Sequence, residues 1–371
     1  MREQSNISKR SSNRRSFLKN GLTAAGAATM ASSLLGNGSS VFAQEEASGS
    51  LDKGDAALLR FAAAAEILET DFWVQYNELG GIRDKEVPGG SGNPVYTEKL
   101  KNLDEDMDVY IHDNTDDEIS HFTFLNAYLA SKGADTVDLD MFRTLPSSKA
   151  TGARQIGRLT NLMQLTLDTS WWTRYRSGAH NPDLDPNFQF PQAVPDLSKG
   201  QFPAIPRTDA DLSPDAHIQA IANTAAFHFP TIEQGGNSLY PSMAQRATSV
   251  EVLRILISIG PTETMHFQTW VDKAGHAVSP PFNVTDPTNQ LTFPDLSNVG
   301  KLFTPNLIMP EPCPFISRDL PRCSVIRPTE TNGIAMGVVK FLTDMGLFFG
   351  QSKAFFKLLH DLAEDADAAR R

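Results

Sequence analysis

Two E-x-x-H pairs, Glu118-Ile119-Ser120-His121 and Glu263-Thr264-Met265-His266, carry the most chemistry in this 371-residue chain. Residues three apart on a helix share a face at roughly 6 Å, so the carboxylate and imidazole of each pair can bind one ion. One pair is weak evidence, because with 8 His and 16 Glu in the chain chance alone produces roughly a third of a pair. Two pairs carry more weight because each falls inside a long helical pattern, the second and the fourth. Each of those is preceded by a helical pattern that sets Glu among apolar or small residues. Glu66 and Glu69 stand in Ala64-Ala65-Glu66-Ile67-Leu68-Glu69, and Glu233 stands in Ile232-Glu233-Gln234-Gly235-Gly236. A carboxylate on an apolar stripe is costly to bury unless a cation or hydrogen bonds compensate it. Four helices with one inward acid each, two of them with His as well, supply the ligand set of a dinuclear carboxylate bundle.

The elements that must position these residues are legible as apolar spacing. From Asp55 to Leu79 apolar residues recur at three and four (Leu59, Ala62, Ala63, Leu68, Phe72, Trp73, Tyr76), and Gly80-Gly81 supplies the stop. A glycine-rich loop over 82–94 leads to a second helix expected from Tyr96 to Lys132, acidic at first and apolar around Phe122, Phe124, Leu125, Tyr128 and Leu129. A long connection over 134–211 follows, with one expected helix from Arg154 to Arg176 and then a Pro- and Asp-rich coil. A crossover of that kind joins parallel neighbours in some bundles. Ser213-Pro214 reads as N-cap and first residue of a third helix running towards Met243, with Pro230 expected to kink or divide it. The fourth helix runs from Ser249 to Lys273, with a distorted turn expected at Gly260-Pro261. Pro261 either re-aims Glu263 productively or spoils the site. Beyond a Pro-rich stretch, Gly333 to Arg370 reads as an accessory helical hairpin packed across the bundle. The fold class is therefore all-α: a four-helix bundle over 55–275, with a 134–211 crossover between helices two and three, and a C-terminal extension over 276–371.

The local text resembles the bacterial ferritin-like domain family related to desiccation-related proteins, within the ferritin-like superfamily. The residues that carry the likeness are Leu59 to Tyr76, Glu118-x-x-His121 followed by Phe124-Leu125, Glu233-x6-Tyr240 and Glu263-x-x-His266. In that family an aromatic residue lies seven places after the ligand Glu of helices one and three. Glu233 to Tyr240, Glu66 to Trp73 and Glu69 to Tyr76 all have that spacing, so Glu66 and Glu69 both stay open as the helix-one ligand, with Glu66 the first choice. The resemblance implies Glu66 or Glu69, Glu118, His121, Glu233, Glu263 and His266 as metal ligands. Tyr76 and Tyr240 stand where a radical or a hydrogen-bonding neighbour would sit, although packing explains both more simply.

The N-terminus carries a separate signal. Asn13-Arg14-Arg15-Ser16-Phe17-Leu18-Lys19 precedes an uncharged run from Gly21 to Gly36 and then Val41-Phe42-Ala43, which resembles a twin-arginine (Tat) export signal cleaved after Ala43. Asn13 departs from the usual Ser or Thr before the arginine pair, and the alternative is a short membrane anchor. Residues 44–54 read as a linker. Loss of residues 1–43 removes six basic residues and one acidic residue, moving the formal charge from −11 to −16. Such a surface disfavours nucleic acid and anionic membranes as partners. Cys313 and Cys323 are the only cysteines, and in an oxidising compartment they most simply form one disulfide; a metal thiolate pair lacks nearby partners.

These features set the functional expectation: an exported protein of the periplasm or cell envelope, not stably membrane-associated after cleavage, holding two iron or manganese ions. Mixed Glu/His ligation suits those metals and suits redox chemistry with O2 or peroxide as small-molecule oxidant. The other reading is a non-catalytic stress or structural protein that keeps the bundle around a vestigial site. A homo-oligomer is compatible with either. His112, His217, His228, His276 and His360 lack ligand-spaced companions, and the acids around His112 (Asp113, Asp116, Asp117) read as a solvated face. Trp171-Trp172 and Phe355-Phe356 read as core. No Gly-rich phosphate loop, nucleophile elbow or basic stripe is present, so nucleotide, hydrolase and nucleic-acid roles have no support.

Overall fold

A computed structural model describes residues 50–369 apart from 86, 88, 91, 175–186, 298–309, 312–318, 320–322 and 325–331. The expected leader and Cys313 lie outside the described residues, so the export signal and the disulfide with Cys323 are not addressed by it. Among the described residues there are eight α-helices: α1 (Lys53–Gly80), α2 (Pro94–Lys101), α3 (Met107–Ser131), α4 (Trp171–Arg174), α5 (Asp215–Ala244), α6 (Val250–Ala277), α7 (Ile334–Asp344) and α8 (Lys353–Ala368). The strands are two-residue pieces, Pro310–Glu311 paired antiparallel with Cys323–Ser324. The protein is all-α, and α1, α3, α5 and α6 form the bundle expected from the spacing of their apolar residues.

α1 packs mainly on α3, and α5 mainly on α6. Side chains fix how the helices run. The Asp55 carboxylate in the first turn of α1 accepts from Thr248 N, Ser249 N and Thr248 Oγ1, which ties that end to the start of α6. Ser249 Oγ then caps α6 by accepting from Val252 N at 3.0 Å. At one end of α3 the Tyr128 hydroxyl donates to Glu251, and ahead of its other end Lys273 Nζ donates to Asp104. Those two contacts make α3 and α6 antiparallel neighbours. The accessory helices pack as expected, α8 on α1 and α7 on both α8 and α5. Trp171, Trp172 and Phe355 are buried in the core.

Several expectations are corrected. The second helix is two helices, because Asp104 turns its carboxylate back to accept from Asp106 N and the acidic run breaks the ladder between α2 and α3. Pro230 does not divide α5, and α6 likewise continues through Pro261. Near Pro261 the hydroxyl of Thr262 donates to Ile259 O, so a side chain takes up a carbonyl of the turn that the proline loosens. Ser213 is not the cap of α5, which starts one residue later and has no side-chain cap.

The largest correction concerns Arg154 to Arg176, where among the described residues only Trp171–Arg174 is helical. Its backbone groups find partners far away in sequence: Leu145 pairs with Arg158, Leu165 with Phe202, and Thr166 N donates to Met345 O. The anchor is α1. Asp71, 3% exposed, accepts from Leu159 N, Thr160 N and Thr160 Oγ1 and pairs with Arg143. Two turns further along the same face, Glu78 pairs with the buried Arg158 and accepts from Arg154 N. These carboxylates hold the crossover extended against α1, where helix propensity alone would coil it. Asp71→Ala removes the acceptor of two buried N–H groups and the partner of Arg143. It is expected to lower stability by about 3 kcal/mol or more in urea denaturation. A loss below about 1 kcal/mol would mean that the crossover is not held from α1.

Candidate metal centre

Each half of the bundle supplies a Glu from one helix and an E-x-x-H pair from the next. α1 places Glu66 and α3 places Glu118 and His121, while α5 places Glu233 and α6 places Glu263 and His266. All four carboxylates are at most 1% exposed. Ligand atoms of Glu66, Glu118, His121 and Glu263 lie within 4.8 Å of one another, and so do those of Glu118, Glu233, Glu263 and His266. The two groups share Glu118 and Glu263. Glu118 is central: its Oε2 is 2.9 Å from His121 Nδ1 and its Oε1 is 3.3 Å from His266 Nδ1. Around it, His121 Nδ1 lies 3.3 Å from Glu66 and 3.5 Å from Glu263, and His266 Nδ1 lies 3.3 Å from Glu233. Pro261 has not turned Glu263 away from its companions.

Both imidazoles present the same nitrogen to the centre because the other nitrogen is engaged. The Thr262 hydroxyl, already donating to Ile259 O, accepts from His121 Nε2 at 3.3 Å, and Asp117 accepts from His266 Nε2 at 3.0 Å. Such outer partners fix tautomer and ring orientation for a metal at Nδ1. Residues 54–275 match the family model of the ferritin-like domain. The chain belongs to the ferritin-like domain family. Searches of curated proteins and of solved structures find no significant match.

The ferritin-like core holds a set of ligand atoms that the protein's own hydrogen bonds leave unsatisfied. Both carboxylate oxygens of Glu233 and of Glu263, and Nδ1 of His266, are buried without a hydrogen-bond partner. Such orphaned acceptors are costly unless a ligand or ion meets them. The donor chemistry fits a metal: four carboxylates and two imidazoles in the two groups, so two divalent cations would balance the carboxylate charge.

Glu69 is buried but falls in neither group. Burial, then the neighbouring Glu118, Glu233 and Glu66 carboxylates, push its proton affinity well above the usual range for Glu. A proton in place of a metal therefore neutralises it. The same forces act on the metal-free ligands. Burial and the Glu118 charge raise Glu66 to about 7, and burial and like charges raise Glu263 well above its ordinary value. Glu118 goes the other way: burial opposes its charge, but the bonds from His121 and His266 prevail and hold it low. His121 is raised to about 12, the Glu66 and Glu118 charges outweighing burial, and His266 is raised well above its ordinary value chiefly by Glu233 against the same penalty.

The ferritin-like centre rests on several residues that spacing alone did not single out. Asn114, one turn before Glu118, donates to Glu118 Oε1 at 2.8 Å and accepts from Trp270 Nε1 at 2.7 Å. Tyr240, which its seven-residue step from Glu233 did single out, donates its hydroxyl to Glu66. Gly236, one turn after Glu233, leaves the room that the Glu263 carboxylate fills; a Cβ there would stand 2.5 Å from Glu263 Oε2. Asp117, read from sequence as solvated, orients His266. His112 is corrected: it is 3% exposed and pairs with Asp84 at 3.1 Å. His217 is clamped by Asp286 and Asp211, and His228 is buried against Tyr76.

Two outcomes follow from this geometry. Gly236→Ala is expected to push the Glu263 carboxylate aside and to lower metal affinity at least tenfold in equilibrium titration while the helical circular dichroism is kept. An unchanged affinity would show that Glu263 is not needed where it stands. The second concerns pH. Glu66 titrates at about 7 folded against an ordinary 4.5, so the folded, metal-free protein binds the extra proton between those values and loses stability as pH rises through them. The raised Glu69, Glu233 and Glu263 act with the same sign, as do the raised histidines above their ordinary 6.5; the depressed Glu118 opposes only below 4.5 and the single depressed His228 only below 6.5. The melting temperature of chelator-stripped protein should therefore fall from pH 5 to pH 8. A rise over that interval would contradict the assignment.

Proposed function

We propose that this ferritin-like protein holds two metal ions, iron or manganese, and uses them in redox chemistry with O2 or peroxide, in the periplasm or cell envelope. The observation that supports two ions rather than one is the pair of donor groups sharing Glu118 and Glu263. In this reading Glu66 and His121 would hold one ion and Glu233 and His266 the other, with Glu118 and Glu263 within reach of both. Glu66 takes the helix-one role because it belongs to a donor group and Glu69 does not. Oxygen-rich ligation with one imidazole per ion suits iron and manganese and gives no softness to retain copper(I).

The ions would supply electron transfer to and from a bound oxidant. The chain's own residues orient the imidazoles through Thr262 and Asp117, fix Glu118 through Asn114, and exclude bulk water by burial. Metal binding must displace the protons that His121 and His266 hold at Nδ1, so affinity rises with pH. Export rests on the resemblance of residues 13–43 to a Tat leader, a route that carries folded proteins and so favours metal loading before transit. The likeness to desiccation-related proteins points the redox chemistry towards stress protection.

Elemental analysis after expression with added iron and manganese is expected to find two ions per chain, and the loaded protein should consume hydrogen peroxide. Metal at 100 times its dissociation constant should raise stability by about 2.7 kcal/mol. Glu118→Ala and His266→Ala should each abolish that gain. Protein that retains neither metal, with both variants as stable as the parent, would leave only the non-catalytic reading.

A further inference from the structure

Behind the centre a continuous line of buried aromatic side chains leads away from Glu118. Asn114 bridges Glu118 to Trp270 Nε1, and Trp270 stacks on Trp73 with ring centroids 5.3 Å apart and planes 24° apart. Trp73 meets Tyr76 at 5.8 Å, and Phe229 packs against all three rings. The line ends at a hydrogen bond of 2.8 Å between the Tyr76 hydroxyl and His228 Nδ1. Trp73, Trp270, Tyr76 and His228 are all at most 1% exposed.

The ends of this line differ in what an oxidised ring can do. An indole or phenol that loses an electron becomes strongly acidic and stays oxidised only if its proton has somewhere to go. Trp270 donates to the amide oxygen of Asn114, which is not a base, and Trp73 Nε1 has no hydrogen-bond partner. Neither indole can give up its proton, so each passes the deficit on. Tyr76 alone on the line faces a neutral imidazole: burial depresses His228 to about 3, so it is uncharged and free to accept. His228 Nε2 is itself buried without a partner, a cost that packing does not require, since an apolar residue would fill the volume without it.

We propose that Tyr76 is a redox-active tyrosine, connected to the metal centre through Asn114, Trp270 and Trp73, with His228 as the acceptor of its hydroxyl proton. The proposal rests on the redox reading of the centre and takes hydrogen peroxide as the oxidant. One electron leaves the Tyr76 ring and crosses Trp73 and Trp270 towards the centre; with a second electron that the bound ions would supply and two protons from solvent, it would cleave the O–O bond of hydrogen peroxide to give two waters. The O–H bond of Tyr76 breaks, and its proton forms an N–H bond at His228 Nδ1. The products are a neutral phenoxyl radical and an imidazolium. The line thus offers a store for one oxidising equivalent, shielded from solvent.

The test is freeze-quench electron paramagnetic resonance of the iron-loaded protein after hydrogen peroxide, with ring-deuterated tyrosine to identify the signal. A tyrosyl signal is expected in the parent, reduced at least tenfold in Tyr76→Phe and at least tenfold in His228→Leu, and kept in Tyr110→Phe. Iron content, measured on the same samples, should not change in Tyr76→Phe. A signal that survives Tyr76→Phe, or one lost in Tyr240→Phe or Tyr110→Phe instead, overturns the proposal while leaving the metal reading intact. If the protein binds no iron, the metal reading fails, and photo-oxidation of the metal-free protein by a ruthenium(II) polypyridyl complex decides for the pair alone. The radical should then again be at Tyr76, and its absence there overturns the proposal. Should His228→Leu not fold, His228→Gln is used, and a signal of parental size and line shape in it removes His228 from the role.

Discussion

Five carboxylates, Glu66, Glu69, Glu118, Glu233 and Glu263, are buried in the middle of a bundle otherwise lined by Ala, Leu, Phe and Trp. Water cannot solvate them there, and among the described residues only two imidazoles lie within reach of their charge. Every feature of the neighbourhood answers that constraint. Glu118 is held ionised by two histidines, Glu69 and Glu263 are driven towards protonation, and the oxygens of Glu233 and Glu263 are left without hydrogen bonds. Two divalent cations would satisfy most of these demands at once, with Glu69 neutralised by a proton.

Holding such a cluster requires a frame that does not relax around it. Removing ions from a buried acidic site leaves repulsion that a soft structure would relieve by opening. Here the surrounding contacts are stiff: Asn114 and Trp270 fix Glu118, Tyr240 holds Glu66, and Thr262 and Asp117 set the imidazoles. Close approach matters too. Gly236 admits the Glu263 carboxylate, and Gly260 lets Tyr240 lie against α6 where a Cβ would stand 2.7 Å from it. The helix that supplies Glu66 also supplies Asp71 and Glu78, which bind the crossover, so the centre and the connection between the two halves share one rigid element.

The layout has an internal correspondence. α1 with α3 and α5 with α6 each give one terminal Glu, one shared Glu and one His, and each of the first members carries its aromatic seven residues on, Trp73 or Tyr240. The correspondence stops at those aromatics. Tyr240 turns its hydroxyl to Glu66, whereas Trp73 stacks into the row of rings that ends at Tyr76 and His228. One side of the centre is therefore bounded by a hydrogen bond and the other by a run of polarisable rings.

Sequence alone determined whatever is local. The apolar spacing of α1, α3, α5 and α6 follows from helix period, and the three-residue step of Glu118 to His121 and Glu263 to His266 puts each pair on one face wherever the helix goes. The tertiary structure decided what depends on partners distant in the chain. Glu66 and Glu69 sit on nearly the same face, and only the positions of α3 and α6 separate the one that joins a donor group from the one that does not. Arg154 to Arg176 has apolar residues at helical spacing, but its N–H groups bond to Asp71, Phe202 and Met345 partners that no local pattern announces. Asp117 is exposed, as its acidic neighbours suggest, yet only the placement of α6 shows that its carboxylate also meets His266. Periodicity records how often a residue returns to a face, and it carries no information about which other face will cover it.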